Sequence, residues 1–362
     1  MHQILILGAG EIGSLISVLL ASSKSYQVFL ADINIHTPVL KKLAAKFSHL
    51  KLVKLDASRQ TEVTHFIKQK KIEVLISALP YYCNIEIAKL AHKNKVHYFD
   101  LTEDTKTADL VAKLSKKSST VFVPQCGLAP GFINIVANDL MKSFSKLDTV
   151  KMRVGALPLN ASNALQYSLT WSPDGLINEY GNPCLAIQNS KAVQLPPLDD
   201  LEKIELDGMI YEAFNTSGGA GSLVKTYAKK VKHLTYKTIR YPGHCEKMRF
   251  LMQDLKLNED RDTLKRILKN ALPKTLQDVV LVYASVTGTR DKQYCEESYV
   301  KKFYAKKLHG FNWSAIQLTT ASSLCTVLDI ILTHPKKYHG LIRQEQFSLE
   351  EFTNNRFGKY YG

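Results

Sequence analysis

Hydrophobic positions in the first third of the chain fall into two alternating patterns. Short apolar runs at Ile4–Leu7, Val28–Ala31, Leu50–Leu55, Val74–Ala78, His97–Phe99 and Thr120–Val123 have the length of buried strands. Between them lie stretches with helical spacing. The first is Glu11–Ala21, with Ile12, Leu15, Ile16 and Leu19 on one side, and others are Thr61–Gln69, Asn84–Asn94 and Thr107–Ser115. Strands alternating with helices predict a doubly wound α/β domain, a parallel sheet covered on both faces.

The rhythm stops after Pro124. From about Val150 to Phe311 the chain is strand-rich and punctuated by Gly and Pro, with strands predicted at Val150–Leu157, Ile204–Leu206, Met209–Ala213, Tyr236–Arg240, Val279–Gly288 and Glu297–Tyr304. Helical spacing at Cys245–Leu255 and Arg261–Leu272 makes this an α+β domain. Ser314–Thr333 is again helical and Pro335 closes it. The resulting expectation is a Rossmann domain over 1–127, a substrate and dimerisation domain over 128–313, and a C-terminal helix and tail over 314–362 packing back on the first domain.

Composition narrows the picture. With 362 residues, 45% hydrophobic and 22% charged, the chain has the make-up of an ordinary globular protein of two domains. Six scattered cysteines without a Cys-x-x-Cys pair read as free thiols, and eleven histidines without ligand spacing predict no metal site. The apolar start runs straight into Gly8 without a signal-peptide flank, and the apolar stretches are broken by polar residues short of a bilayer span. The expectation is a cytoplasmic protein with no membrane partner. The net charge is +15, with lysines in isolated pairs along the whole chain such as Lys41-Lys42, Lys116-Lys117 and Lys301-Lys302. Spread in this way it reads as solvated surface, with no nucleic-acid partner.

One motif carries chemistry. Gly8-Ala9-Gly10-Glu11-Ile12-Gly13 follows the first strand and opens the first helix, and Asp32 closes the second strand about 20 residues further on. Gly8 permits the tight turn, Gly10 lets a pyrophosphate approach the backbone, and Gly13 lets the helix pack against the sheet. Glu11 and Ile12 begin the helix whose dipole holds the phosphates. Asp32 accepts hydrogen bonds from the adenosine ribose and repels a 2′-phosphate, which favours NAD over NADP. Asp56 ends the third strand, where it either approaches the adenine or caps the next helix. In such sheets ligands bind at the carboxyl ends of the strands, which here carry Ala78-Leu79-Pro80-Tyr81, Asp100 and Gln125-Cys126-Gly127.

The run Val123-Pro124-Gln125-Cys126-Gly127-Leu128-Ala129-Pro130-Gly131 resembles the Cys-Gly-x-x-Pro-Gly signature of saccharopine dehydrogenase-like enzymes. That group includes saccharopine reductases, carboxynorspermidine dehydrogenases and lysine 6-dehydrogenases. Ala78–Tyr81, Tyr98–Thr102, Trp171–Gly175 and Ile239–His244 match further family segments in the family's order. The resemblance implies hydride transfer between NAD(P) and a carbon bearing an amino group of a small amino-acid substrate. The family's saccharopine reductases usually carry an arginine after Trp-Ser-x, where this chain has Asp174. The segment Ser172–Tyr180 is more similar to the lysine 6-dehydrogenase branch, which implies oxidation of the L-lysine ε-amine.

By the same resemblance, Asp100 binds or deprotonates the amine, Cys126 lines the nicotinamide pocket, and Tyr81 touches substrate. Arg240 has the forked donors suited to a carboxylate. Trp171, Thr216 and Tyr241 complete the implied substrate set. Structural readings stand beside these: a helix cap for Asp100, a small buried hydrophobe for Cys126, loop packing for Tyr81, a strand charge for Arg240 and a plain turn for Asn215–Gly219. Two further functions compete: a saccharopine- or carboxynorspermidine-type enzyme of the same family, and a non-catalytic nucleotide-sensing module. The strand-rich second domain suggests a homodimer.

Overall fold

Two compact units divide the chain: Met1–Gly127 with Thr319–Gln346 and Glu350–Gly362, and Leu128–Leu318 with Phe347–Leu349. They are described here from a computed structural model covering residues 1–116 and 118–362. Lys117, the second member of the Lys116-Lys117 pair, lies outside the described residues.

The first unit is built on β1 (His2–Leu7), α1 (Glu11–Ser22), β2 (Tyr26–Asp32), α2 (Pro38–Lys46), β3 (Leu50–Lys54), α3 (Gln60–Lys70), β4 (Val74–Ser77), α4 (Asn84–Asn94), β5 (His97–Asp100), α5 (Thr105–Ser115) and β6 (Val121–Val123). The strands run β6-β5-β4-β1-β2-β3, all parallel, so the order reverses between β1 and β4. This is the expected doubly wound sheet. Its apolar face is continuous: Leu5, Leu7, Leu75, Tyr98 and Phe122 pack with Val63, Ile67, Ala88, Ala91 and Val111 from α3, α4 and α5. The hydrophobic pattern does not disclose α2. Thr37 caps it through Leu40 N–H and Pro38 opens it, but only Leu40 and Leu43 are buried in a lysine-rich stretch.

The second unit contains α6 (Phe132–Met141), β7 (Lys146–Pro158), α7 (Pro173–Gly181), β8 (Cys184–Gln188), β9 (Lys191–Leu195), β10 (Glu202–Leu206), β11 (Met209–Asn215), α8 (Leu223–Tyr227), β12 (Val231–Arg240), α9 (His244–Arg249), α10 (Arg261–Ala271), β13 (Asp278–Arg290), β14 (Gln293–Tyr304), β15 (Lys306–Leu308) and β16 (Phe311–Trp313). The main sheet runs β10-β11-β12-β7-β13-β14, with β7 and β12 parallel and the other neighbours antiparallel. One face packs on helices, through Tyr180, Phe214, Met248, Leu264 and Leu268. The core on the other face is made of strand residues, among them Leu157, Tyr211, Ile239, Val279 and Leu281. The sheet therefore curls. Lys302 of β14 meets Asp207, in the turn after β10, at 2.8 Å, joining opposite ends of the strand order. The strands predicted at 150–157, 236–240 and 297–304 are each longer than their apolar cores, because their outer residues are polar and pair through the backbone.

α11 (Ala315–Thr333) follows, and its Ala315 and Ile316 amides donate to the buried carboxylate of Asp278. By length and composition this helix is long and apolar enough to cross a membrane, contrary to the sequence reading, and 83% of it is buried inside the protein. Its Asp329 carboxylate accepts from Tyr26, Arg356 and Asn355, tying the C-terminal tail to β2. Beyond it, β17 (Gly340–Leu341) adds a parallel strand beside β6, and α12 (Leu349–Asn354) precedes the C-terminus. All six cysteines are unpaired. Lys41, Lys42, Lys70, Lys71, Lys229, Lys230, Lys336 and Lys337 are exposed, as the spacing implied, whereas Lys301 and Lys302 are half-buried. Arg153 and Lys237, side by side on β7 and β12, are buried instead, both against Glu202.

Candidate active site

The glycine-rich turn sits at the reversal point of the first sheet, between β1 and β4. Gly8 has φ +102°, and a Cβ there would lie 2.7 Å from the Ala78 carbonyl oxygen. A Cβ on Gly13 would lie 1.9 Å from the Gly8 oxygen. The fold itself thus requires both glycines. Gly10 differs: its φ of −68° suits any residue, and a Cβ would meet nothing within 4 Å. The open ground above Gly10 is the space a pyrophosphate needs, and no side chain caps the start of α1 below it. Asp32 stands beside the turn, with Oδ2 accepting from Ala9 N–H at 2.8 Å and Oδ1 from Asn34 N–H at 3.0 Å. Glu11 and Ile12 form the first turn of α1, and Ala78, Leu79 and Pro80 border the cradle after β4. These residues fit a dinucleotide. Asp56 does not cap a helix: it closes a turn on Ser58 N–H and Oγ, and α3 begins only after Arg59.

Asp100 ends β5 fully buried. Its Oδ1 accepts from the amides of Thr102 at 2.9 Å and Gln125 at 3.1 Å, and its Oδ2 from the Tyr98 hydroxyl at 2.7 Å. It does not cap α5, a task that falls to Asp104. As folded, this carboxylate clamps its own loops rather than standing open as a base. Burial pushes its pKa up to about 6, partly offset by those donors. The clamp holds Gln125 at φ +62° and delivers Cys126, whose amide donates to the Asp100 carbonyl at 2.9 Å. Burial also pushes the Cys126 thiol up, so it stays protonated. Gln344, far along the chain, donates to the Pro124 carbonyl at 3.4 Å. Tyr81 opens a short 3-10 turn beside this region, edge-on to Tyr82.

In the second unit, Arg240 ends β12 buried on the helix-covered face. Its Nε–H donates to the Tyr180 hydroxyl at 2.8 Å and its Nη1 to the Ile239 carbonyl at 2.8 Å. Nη2 bonds no described residue. The guanidinium lies 5.0 Å from the Tyr167 ring centre. Tyr180 in turn meets His244 Nε2 at 3.1 Å, and His244 Nδ1 meets the Leu165 carbonyl at 2.8 Å. A carbonyl can only accept, so Nδ1 carries the proton and the bare Nε2 accepts from Tyr180. Burial, and secondarily the Arg240 charge, push the His244 pKa down to about 3, which keeps the ring neutral.

Local sequence explains the placement. Ser172 caps α7 through Gly175 N–H, Pro173 is its first residue, and Trp171 lies over Gly175, where a Cβ would come within 2.3 Å of the ring. α7 then delivers Tyr180. Glu212 accepts from Gly243 and Cys245 amides at 2.8 and 2.6 Å, fixing the turn that delivers His244. Thr216 bonds Thr238 at 2.8 Å. Tyr241 does not join Arg240: it stacks on Tyr211 among the strand-built core and donates to Pro158 O at 2.8 Å. Adjacent residues on a strand point to opposite faces. Asp174 forms an ion pair with Lys265 of α10 at 2.6 Å.

Both units match one family. The saccharopine dehydrogenase NADP binding domain covers residues 4–122, and the saccharopine dehydrogenase C-terminal domain covers residues 127–358. The chain belongs to the saccharopine dehydrogenase family. It is thus one of a family of NAD(P)-dependent oxidoreductases. Among relatives of this family member, mitochondrial alpha-aminoadipic semialdehyde synthase of Rattus norvegicus is 21% identical over 99% of this chain. The chain spans 37% of that relative's length. The fold matches apo saccharopine dehydrogenase (L-Glu forming) from Saccharomyces cerevisiae, with a TM-score of 0.73 and 16% identity over 97% of this chain and 95% of the other. Homospermidine synthase from Legionella pneumophila in complex with NAD matches with a TM-score of 0.66 and 13% identity, over 99% of this chain and 89% of that one.

Sequence reasoning about this family member overlooked Tyr180, His244 and Gln344 as site residues. Tyr180 and His244 stand at the ends of the family-like segments Ser172–Tyr180 and Ile239–His244 and are legible there as chemistry-bearing types. Gln344 carries no local signal.

Proposed function

We propose that the protein oxidises the amine-bearing carbon of an amino acid with NAD(P)+, holding the substrate's carboxylate on Arg240. The observation that carries this reading is the Arg240 guanidinium, buried, held through Nε and Nη1, and left with Nη2 uncommitted. A buried, pre-oriented fork of donors suits a carboxylate. A nucleotide bound over Gly10 supplies the hydride acceptor. Asp32 then selects NAD over NADP by repelling a 2′-phosphate. Asp100 acts as a positioning residue that sets the Gln125–Cys126 turn, and the protonated Cys126 thiol offers a weakly polar wall.

Within this class L-lysine comes first. Its ε-ammonium, with a usual pKa of about 10.4, loses a proton before the carbon–hydrogen bond breaks and its electron pair leaves as hydride. The nitrogen lone pair forms the C=N bond, and water then releases ammonia and the semialdehyde. Saccharopine is the second reading. The Asp174–Lys265 pair favours it, because a neutralised Asp174 no longer repels the glutamate portion. Purified protein with NAD+ and either substrate at alkaline pH, followed by the absorbance of reduced nicotinamide, tests both. Turnover that Arg240→Lys weakens mainly through KM supports the proposal. No turnover with any amino-acid amine would overturn it.

A further inference from the structure

We propose that the cavity between the last turns of α3 and α4 is a second ligand site, which holds an anion carrying two or more phosphate groups. Lys68 and Lys71 reach it from the end of α3, and Lys93 and Lys95 from the end of α4. Its volume is about 350 Å³, at the lower end of the range for small-ligand cavities. Ile72 leads into β4 and Val96 into β5, so the cavity lies at the amino ends of these strands. The nucleotide cradle stands at the other end of the sheet, where β1 and β4 finish. The two sites are therefore separate.

The wall of this cavity is of one sign. Among the described residues no carboxylate lines it, and its four ammonium groups form no hydrogen bond or ion pair. Glu73, the acid nearest in sequence, is committed to His2 Nδ1 at 2.7 Å and to the Gln3 amide at 3.1 Å. Lys89 and Lys142, by contrast, each have a carboxylate partner, at 2.6 and 3.6 Å. The helix dipoles place about half a negative charge at each of the two helix ends, which offsets about one of the four positive charges. The rest is uncompensated. Single unpaired lysines are ordinary on an open surface, but a concave wall of one sign over an apolar floor concentrates counter-ions. The buried side chains of Ile67 and Ile72 supply that floor.

The kind of cation selects the kind of anion. Lysine heads are point charges on flexible stems, suited to phosphate oxygens at varied spacing. A planar carboxylate is better served by the arginine fork, which this wall lacks among the described residues. Four cations call for more than one phosphate. Thr64 adds a neutral donor: its hydroxyl accepts from Asn94 Nδ2 at 3.4 Å, and its own proton goes to no described residue.

Isothermal titration of the full chain, saturated with NAD+ to fill the cradle, tests the proposal with inorganic tripolyphosphate and with ATP, both free of divalent metal. One variant combines Lys68→Gln, Lys71→Asn, Lys93→Gln and Lys95→Asn. Asparagine suits the left-handed φ of +51° and +54° at residues 71 and 95, and circular dichroism confirms the fold. A control combines Lys191→Gln, Lys203→Gln, Lys269→Gln and Lys274→Gln, four exposed positions elsewhere with the same change in net charge. The wild type is expected to bind at about 0.15 M salt. The cavity variant is expected to bind at least about tenfold more weakly, and the control within about twofold of wild type. Lys68→Gln with Lys93→Gln leaves both left-handed caps untouched and is expected to weaken binding at least about threefold. Equal affinity for the two anions supports recognition of the phosphates alone; tighter binding of ATP supports a base lying on the Ile67–Ile72 floor. Failure of both anions to bind, or equal weakening in the cavity variant and the control, overturns the proposal.

Discussion

The Tyr180 hydroxyl accepts the Nε–H of Arg240 at 2.8 Å and spends its own proton on His244. One phenol thus converts a neutral imidazole into an anchor for a buried cation. Tyr180→Phe leaves that Nε–H buried without an acceptor, at a cost of about 1–3 kcal/mol. The expected result is a lower melting temperature and a KM for the carboxylate substrate raised about tenfold, with kcat less affected. Steady-state kinetics beside a thermal melt checks it; an unchanged KM would remove Arg240 from substrate binding.

His244 makes stability depend on pH in a defined direction. Its folded pKa is about 3, against about 6.5 unfolded. Between those values the unfolded chain binds a proton that the folded chain refuses, so stability falls as pH falls through that window, by up to about 1.4 kcal/mol per pH unit. His244→Asn keeps a donor for the Leu165 carbonyl and cannot titrate there. Urea midpoints from pH 7 to 4 are expected to fall less steeply for the variant. Equal slopes for both proteins would mean that His244 is not held neutral.

Asp100 acts with the opposite sign. Its folded pKa of about 6 lies above the usual 3.8, so the folded state holds the proton more tightly and stability falls as pH rises from about 4 to 6. Asp100→Asn is expected to flatten that component and to loosen the Gln125–Cys126 turn. A changed pH profile of activity with a retained fold would show that the carboxyl itself matters to turnover.

Gly10 and Gly13 are expected to separate binding from folding. Gly13→Ala places a methyl 1.9 Å from the Gly8 oxygen and costs about 1–3 kcal/mol of stability. Gly10→Val projects into open space and leaves the melt of the ligand-free protein within about 0.5 kcal/mol of wild type. NAD binding, read by fluorescence titration, is expected to weaken at least about tenfold in Gly10→Val. If it does not, the pyrophosphate lies elsewhere.

Asp32→Ser removes the charge expected to reject a 2′-phosphate. The ratio of kcat/KM for NADP+ over NAD+ is expected to rise about tenfold or more. A flat ratio would show that the carboxylate serves only the Ala9 and Asn34 amides it meets in this structure.

The doubly wound sheet and its nucleotide cradle were legible in the amino-acid order because their signals are local. Three glycines within one turn and an acid one strand later need only parallel pairing of β1 and β2 to come together. Short apolar runs announced the strands for the same reason: burial on both faces leaves no other composition open to them. Family segments marked Trp171–Gly175 and Ile239–His244 as meaningful, but not that Tyr180 and His244 meet there. Tertiary structure decided that Arg240 and Tyr241 serve opposite faces, that Asp100 is clamped, and that Gln344 returns to the Cys126 loop. Packing between distant segments sets such contacts, and no spacing along the chain encodes it. Arg153 and Lys237 show the limit from the other side. Lysine and arginine read as surface in a sequence, and only the folded chain sets Glu202 against them.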